Sequence, residues 1–253
     1  MMSGCRLFTL LVLAAVSAAC STAENGGADT STGDTAPAAS ATVTVLHYQE
    51  QEAGTDSYPV RVLVNPEYLR IDDGYAESDF TLLDRAARTV SSVSHEDRNI
   101  LVIQHTPVEE QLPADIHLDL EQAIDTDAPR VAGRQPVHMR FIANTAVCHE
   151  AVIVPGLLAD AVEALIEYEE ILGSRQQENL SITPESLQTA CFLTRYVYAP
   201  ARHLRQGFPI REWDADSYRR TLVDYSEAER VAGELFRLPE DYQRYSLGEV
   251  TGG

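Results

Sequence analysis

From Ala41 to His105, apolar and polar positions alternate with period two, and the alternation breaks only at turn residues. This pattern predicts six strands: Thr42–Gln49, Tyr58–Val64, Glu67–Asp72, Asp79–Asp84, Thr89–His95 and Asn99–His105. The connections between them, such as Asn65-Pro66 and Asp72-Asp73-Gly74, are too short for parallel crossovers, so neighbours pair antiparallel as a curved meander. The acidic stretch 106–133 holds Pro107, Pro113 and Pro129 and reads as a long excursion, with a short helix over Leu118–Ile124. A hairpin follows, Val137–Ala143 and Ala146–Val154 around Asn144-Thr145.

The period then changes to 3.6. Leu158, Ala161, Val162, Leu165, Ile166, Ile171 and Leu172 lie on one side of a predicted helix over Leu157–Leu172, with Gly173 as its C-terminal cap. A second helix is predicted from Thr183 as N-cap, with Pro184 at its first position. Two further strands, Pro209–Trp213 and Tyr218–Tyr225, precede the closing segment Leu235–Tyr242. About ten strands and two main helices indicate an α+β domain, a curved antiparallel sheet whose helices cover one face. That domain spans 42–247, with the helical insertion at about 157–206 and a disordered tail at 248–253.

The first 19 residues have a different organisation: Arg6, an apolar run from Leu7 to Val16, and small residues before Cys20. The run is shorter than the roughly 20 residues a bilayer-spanning helix needs, so it reads as an export signal. Ser17-Ala18-Ala19-Cys20 resembles the bacterial lipobox, with Ser17 where leucine is usual. The resemblance implies cleavage before Cys20, then a diacylglyceryl thioether and an N-acyl chain such as palmitate on that residue. One acyl chain binds a membrane only marginally, whereas several anchor it stably. Ser21, in place of the aspartate that retains such lipoproteins in the inner membrane, implies an outer-membrane lipoprotein facing the periplasm. Residues 20–41 are almost wholly Ser, Thr, Ala, Gly, Asp and Pro, a flexible tether with a reach on the order of 25 Å.

Charge narrows the partners. The chain has 19 basic and 39 acidic residues for a formal net charge of −20, and every basic residue is arginine. Removing 1–19 takes one arginine and no acid, which leaves the mature chain more negative still. Such a field disfavours nucleic acid and peripheral docking on anionic lipid, so membrane contact falls to Cys20.

Cys148 and Cys191 remain in an oxidising compartment and suggest one disulfide, with a pair of buried free thiols as the alternative. No CxxC, HxxxH or third cysteine marks a metal site. His47, His95, His105, His117, His138, His149 and His203 are scattered and receive no catalytic role, and His95-Glu96-Asp97 reads as turn chemistry. With no nucleophile elbow, zinc-protease or phosphate-loop motif, the chain reads as a non-enzyme without a cofactor.

Three segments carry a wider resemblance: Leu69-Arg70-Ile71-Asp72-Asp73-Gly74, Leu82-Leu83-Asp84-Arg85-Ala86-Ala87-Arg88-Thr89-Val90 and His95-Glu96-Asp97-Arg98. They resemble the strand-and-turn theme of the LolA/LolB-like lipoprotein localisation superfamily, over Val43–His105 and more weakly near Phe236-x-Leu-Pro-x-x-Tyr242. The resemblance implies an incomplete barrel plugged by helices, with a cavity for a lipid, acyl chain or other hydrophobic ligand. The alternative is a structural or protein-interaction lipoprotein of the envelope. If Cys20 carries the anchor, Cys20→Ser abolishes incorporation of labelled palmitate and moves the protein from the membrane to the soluble fraction. Labelling that survives the substitution contradicts it.

Overall fold

The computed structural model describes residues 40–75, 77–107 and 111–246. The expected signal peptide, Cys20, nearly all of the tether and the tail at 248–253 lie outside the described residues. Twelve strands form one curved, unclosed sheet in the order β12-β6-β5-β4-β3-β2-β1-β11-β10-β9-β8-β7. The predicted meander is β1 (Ser40–Gln51), β2 (Tyr58–Val64), β3 (Tyr68–Asp72), β4 (Phe80–Asp84), β5 (Thr89–Ser94) and β6 (Asn99–Gln104), each paired antiparallel with the next. Ser40 and Ala41, placed in the tether by composition, already pair with Ala232 and Val231.

The second half is β7 (Leu118–Ala123), β8 (Val137–Ala143), β9 (Ala146–Val154), β10 (Phe208–Trp213), β11 (Arg219–Ala232) and β12 (Gln243–Ser246). Leu118–Ile124 was expected to be helical, yet Leu118–Ala123 is an edge strand on β8. Its Leu118 and Leu120 also satisfy period two, and Leu120 packs against the cluster of Met139 and Phe141, so tertiary pairing decides between the two patterns. The sheet is mixed, not wholly antiparallel, because β12 joins β6 in parallel at the other edge.

The long helix, α1 (Ala159–Glu178), buries Ala161, Ala164, Leu165 and Ile171 against Leu46, Val62, Leu69, Leu83 and Val90 of the sheet. It does not stop at Gly173. A Cβ there would lie 2.6 Å from Pro200 Cγ and 3.3 Å from the Val197 carbonyl oxygen, so the glycine permits a close crossing rather than a cap. The second helix also differs from expectation. Thr183 and Pro184 precede a 3-10 turn at Glu185–Leu187, and the N-cap is Thr189, whose hydroxyl accepts from the Phe192 backbone N–H. From it α2 (Ala190–Phe192) continues as a π-helical segment, Leu193–Tyr198.

Contrary to a sheet covered on one face, the reverse face of β1–β6 is buried too. Val43, Val45, Leu63, Phe80, Leu82, Val93 and Ile100 pack under Phe236, with Leu235, Leu238 and Tyr242 of the chain end. The residues of the recurring strand-and-turn theme hold both covers. Arg70 donates to Asp72 at 2.6 Å and to the Leu235 carbonyl at 2.6 Å, while its guanidinium lies 3.7 Å from the centre of the Phe80 ring. Arg85, in the β4–β5 turn, pairs with Glu167 of α1 through two bonds of 2.6 and 2.8 Å.

Cys148 and Cys191 form a disulfide with Cα atoms 5.0 Å apart, tying α2 to β9. Residues 43 apart in sequence are joined, a loop whose closure stabilises the fold by roughly 4 kcal/mol in the chain-entropy account. Replacing both cysteines with serine therefore lowers the urea-unfolding free energy by about that amount, and reductant leaves the variant unaffected while destabilising the wild type. Equal stability of variant and wild type would show that the bridge constrains nothing.

Candidate functional site

Strand parity builds the site. On β1 the residues Leu46, Tyr48 and Glu50 share the face turned towards α1, and on β11 Arg220 and Leu222 share it, with Tyr218 just before the strand beside them in the cleft. Register then places Glu50 opposite Arg220, and Arg220 opposite Glu212 of β10. A carboxylate, a guanidinium and a second carboxylate thus cross three adjacent strands on a face that is apolar a few residues away. Arg220 Nε lies 3.0 Å from Glu50 Oε1 but off the line of a hydrogen bond, so the attraction is mainly coulombic. The guanidinium also lies 3.9 Å from the centre of the Tyr48 ring. Burial by itself would lower the Arg220 pKa, but Tyr48, Glu50, Tyr218 and Glu212 together raise it, so the residue stays charged.

Next along the sheet are two imidazoles. His149 Nε2 is 3.3 Å and His203 Nε2 is 3.2 Å from the same oxygen, Oε1 of Glu212. His149 stacks on Phe141, its cross-strand partner, at 5.6 Å, and meets His203 edge-to-face at 5.0 Å. His149 Nε2 is buried without a well-aligned hydrogen bond among the described residues. Burial lowers the His203 pKa to about 4, helped by the charges of His149, Arg195 and Arg220 and opposed by Glu212. Burial would raise the Glu212 pKa, yet His203, His149 and Arg220 outweigh it and hold the carboxyl ionised well below its usual range.

Local chain geometry explains how these side chains meet. Successive strand residues point to opposite faces, yet Cys148 reaches the segment above the sheet and so does His149. A bulge reconciles them, since β8 advances one residue from Phe141 to Ile142 while β9 passes from His149 to Val147, leaving Cys148 as the extra residue. His203 comes from the turn after the π segment, just before Gly207. The φ of Gly207 is +134°, and a Cβ there would lie 2.8 Å from Pro155 Cα.

Beside the triad a cleft of about 620 Å³ opens between the sheet, α1 and the π segment. Its lining is charged and phenolic: Glu50, Glu52, Glu169, Glu212, Asp214 and Asp216 against Arg195 and Arg220, with Tyr168, Tyr196 and Tyr218. The apolar part of the wall comes from Val60, Ile71, Leu172 and Pro200 together with the ring and aliphatic carbons of the phenolic and charged residues. Arg195 is taken up by an ion pair with Asp214, and Arg220 by Glu50. Glu169 has no such ion pair among the described residues. Burial, and then the neighbouring Glu212 charge, raise its pKa to about 7.

The sequence-predicted residues are distributed accordingly. Cys148 and Cys191 come together and hold the site's covering segment to β9, and Cys20 lies outside the described residues. His95 bonds the Tyr242 hydroxyl at 2.8 Å in its turn, His138 bonds Glu150 at 2.9 Å, and His47 is exposed. Of the histidines scattered along the chain, two are brought together. His149, His203 and Glu212 converge although His203 and Glu212 lie 54 and 63 residues after His149, a spacing no local motif displays. A signal was present nonetheless. Glu50 is in phase with Leu46 and Tyr48, and Arg220 with Leu222, so each places a charge on a buried strand face.

No family model matches the chain, and neither does any curated protein. Among solved structures, it is similar to an uncharacterized conserved protein from Thermus thermophilus, with 14% identity over 81% of this chain and 90% of that one, at a TM-score of 0.39. It is also similar to PNGF-II, with 8% identity and a TM-score of 0.39, covering 83% of this chain and 32% of that one. The chain thus spans about a third of PNGF-II. At these scores neither likeness bears on the fold or the site.

The raised pKa of Glu169 has a sign that can be checked. Its folded value, about 7, exceeds its ordinary 4.5, so the stability it contributes is fully present below pH 4.5 and is lost as pH rises through 7. In EDTA-treated protein, Glu169→Gln therefore gains stability relative to wild type between pH 4.5 and 7 and holds the gain above. A difference that is flat with pH would place the Glu169 pKa at its ordinary value.

Proposed function

We propose that the chain is a lipoprotein of the bacterial envelope, anchored through Cys20 to the outer membrane and facing the periplasm. In this reading its half-barrel, an outlier of the LolA/LolB-like superfamily, binds a small polar, cation-bearing ligand without catalysis. The fold part of the reading is supported by the curved, unclosed sheet with a long helix packed on it. The observation that carries the ligand class is the cleft lining, six carboxylates against two arginines that already have acidic partners.

An acyl chain, the ligand the superfamily resemblance implies, suits this lining poorly. It would meet Val60, Ile71, Leu172 and Pro200 on one side while separating Glu169 and Glu212 from water on the other. Glu169, which has no ion-pair partner among the described residues, would then have to take up a proton or lie uncompensated against the chain. An ammonium or guanidinium group instead supplies Glu169 with a counter-ion, and Tyr168, Tyr196 and Tyr218 offer ring faces and hydroxyls beside it.

Calorimetry and native mass spectrometry on the detergent-solubilised mature protein, with EDTA present, test the reading using spermidine and palmitate as probes. Spermidine binds, palmitate does not, and Glu169→Gln weakens spermidine at least about tenfold, the loss of one charge-assisted contact. Co-purified phospholipid or tight palmitate binding in place of spermidine would overturn the polar ligand in favour of a lipid. Binding of neither would favour a purely structural lipoprotein.

A further inference from the structure

We infer that His149, His203 and Glu212 form a binding site for a divalent first-row transition ion of the zinc class. Their donor atoms all lie within 4.8 Å of one another, and His203 and Glu212 also line the cleft. The two nitrogens stand 3.3 and 3.2 Å from Glu212 Oε1. Ligands about 2.0–2.1 Å from a tetrahedral ion are separated by about 3.3 Å along each edge, so both separations match the span of such a site. Two imidazoles and one carboxylate are a donor set that suits zinc, iron(II) or cobalt(II) and suits calcium or magnesium poorly.

The second, independent observation is His149. The residue is 4% exposed, and its Nε2 has no well-aligned hydrogen bond among the described residues although it is aimed at Glu212. A buried polar atom of this kind destabilises the fold unless something binds it, and a metal ion would engage both imidazoles and the carboxylate at once. The scaffold around the ligands is rigid. Phe141 stacks on His149, Arg220 faces Glu212 across the strand pair, and the Cys148–Cys191 bridge fixes the residue next to His149. Metal sites depend on such surrounding contacts to orient their ligands.

Three protein ligands leave a tetrahedral ion one position for an outside donor. His203 and Glu212 both line the cleft, so that position faces it, and a cleft ligand carrying an oxygen or nitrogen donor would complete the sphere. Six carboxylates against two arginines remain net negative even after a divalent ion is added, so the metal and a cationic ligand are compatible.

The test uses the full mature chain with its disulfide intact, stripped with EDTA and dialysed. Titration with zinc chloride gives one site per chain with a dissociation constant of micromolar or tighter. His203→Gln and Glu212→Gln each weaken it at least about a hundredfold, and His47→Gln leaves it unchanged. Circular dichroism confirms that each variant is folded. Because Glu212→Gln risks the fold, X-ray absorption on zinc-loaded wild type provides a variant-free reading: a shell of nitrogen and oxygen at about 2.0 Å with the multiple scattering of two imidazoles. Absence of zinc binding in wild type, retention of affinity in folded His203→Gln, or a shell without imidazole would overturn the site. Spermidine binding is measured in EDTA, so failure of the metal site and failure of the polar-ligand reading are separate results.

Discussion

The interaction on which the rest of the structure turns is the buried charge row Glu50–Arg220–Glu212. A guanidinium removed from water is tolerable only with acids on hand, and β1 and β10 supply one from each side of β11. That arrangement demands one register. A one-residue slip of β11 would turn Arg220 to the opposite face and leave both acids unbalanced. The pairing of β1 with β11 therefore does two things at once. It joins the first strand of the meander to the second half of the chain, and it places the polar floor of the cleft.

Above that floor sits a covering segment that would be loosely held by packing alone. Its nine residues from Ala190 to Tyr198 bury few large side chains, and part of it is π-helical, a geometry rare in helices and frequent at functional sites. Two features compensate. The Cys148–Cys191 disulfide fixes its start, and Gly173 lets Pro200 approach α1 closely at its end. His203 and Arg195 are positioned by this segment, so the disulfide acts on the site as well as on stability.

Much of the sheet was legible because alternation is a local signal. The boundaries of β2, β8 and β9 coincide with the expectation, and β1 differs by two residues at each end. What stayed hidden was decided by distant partners. Leu118–Ala123 satisfies more than one pattern until β8 pairs with it, and Gly173 resembles a cap until Pro200 is seen beside it. The parallel strand Gln243–Ser246 has no alternating apolar pattern of its own. The site was hidden more deeply. His149, His203 and Glu212 come from a bulged strand, a turn and another strand, and no spacing rule unites them. Their trace in the sequence is indirect: charges in phase with buried positions on the neighbouring strands, at Glu50 and Arg220. Such a misfit between local pattern and chemistry marks a functional site more often than an error of folding.

The central question is whether the space between sheet and helix is a polar, metal-centred cleft or a lipid cavity. Anomalous diffraction at the zinc edge, from crystals of the mature chain grown with zinc, addresses it in one map. The polar, metal-centred cleft predicts a single strong peak about 2 Å from His149 Nε2, His203 Nε2 and Glu212 Oε1, with ordered water or a polar ligand beside Glu169. A cleft filled by continuous acyl-chain density, with no anomalous peak at those three residues, would contradict it.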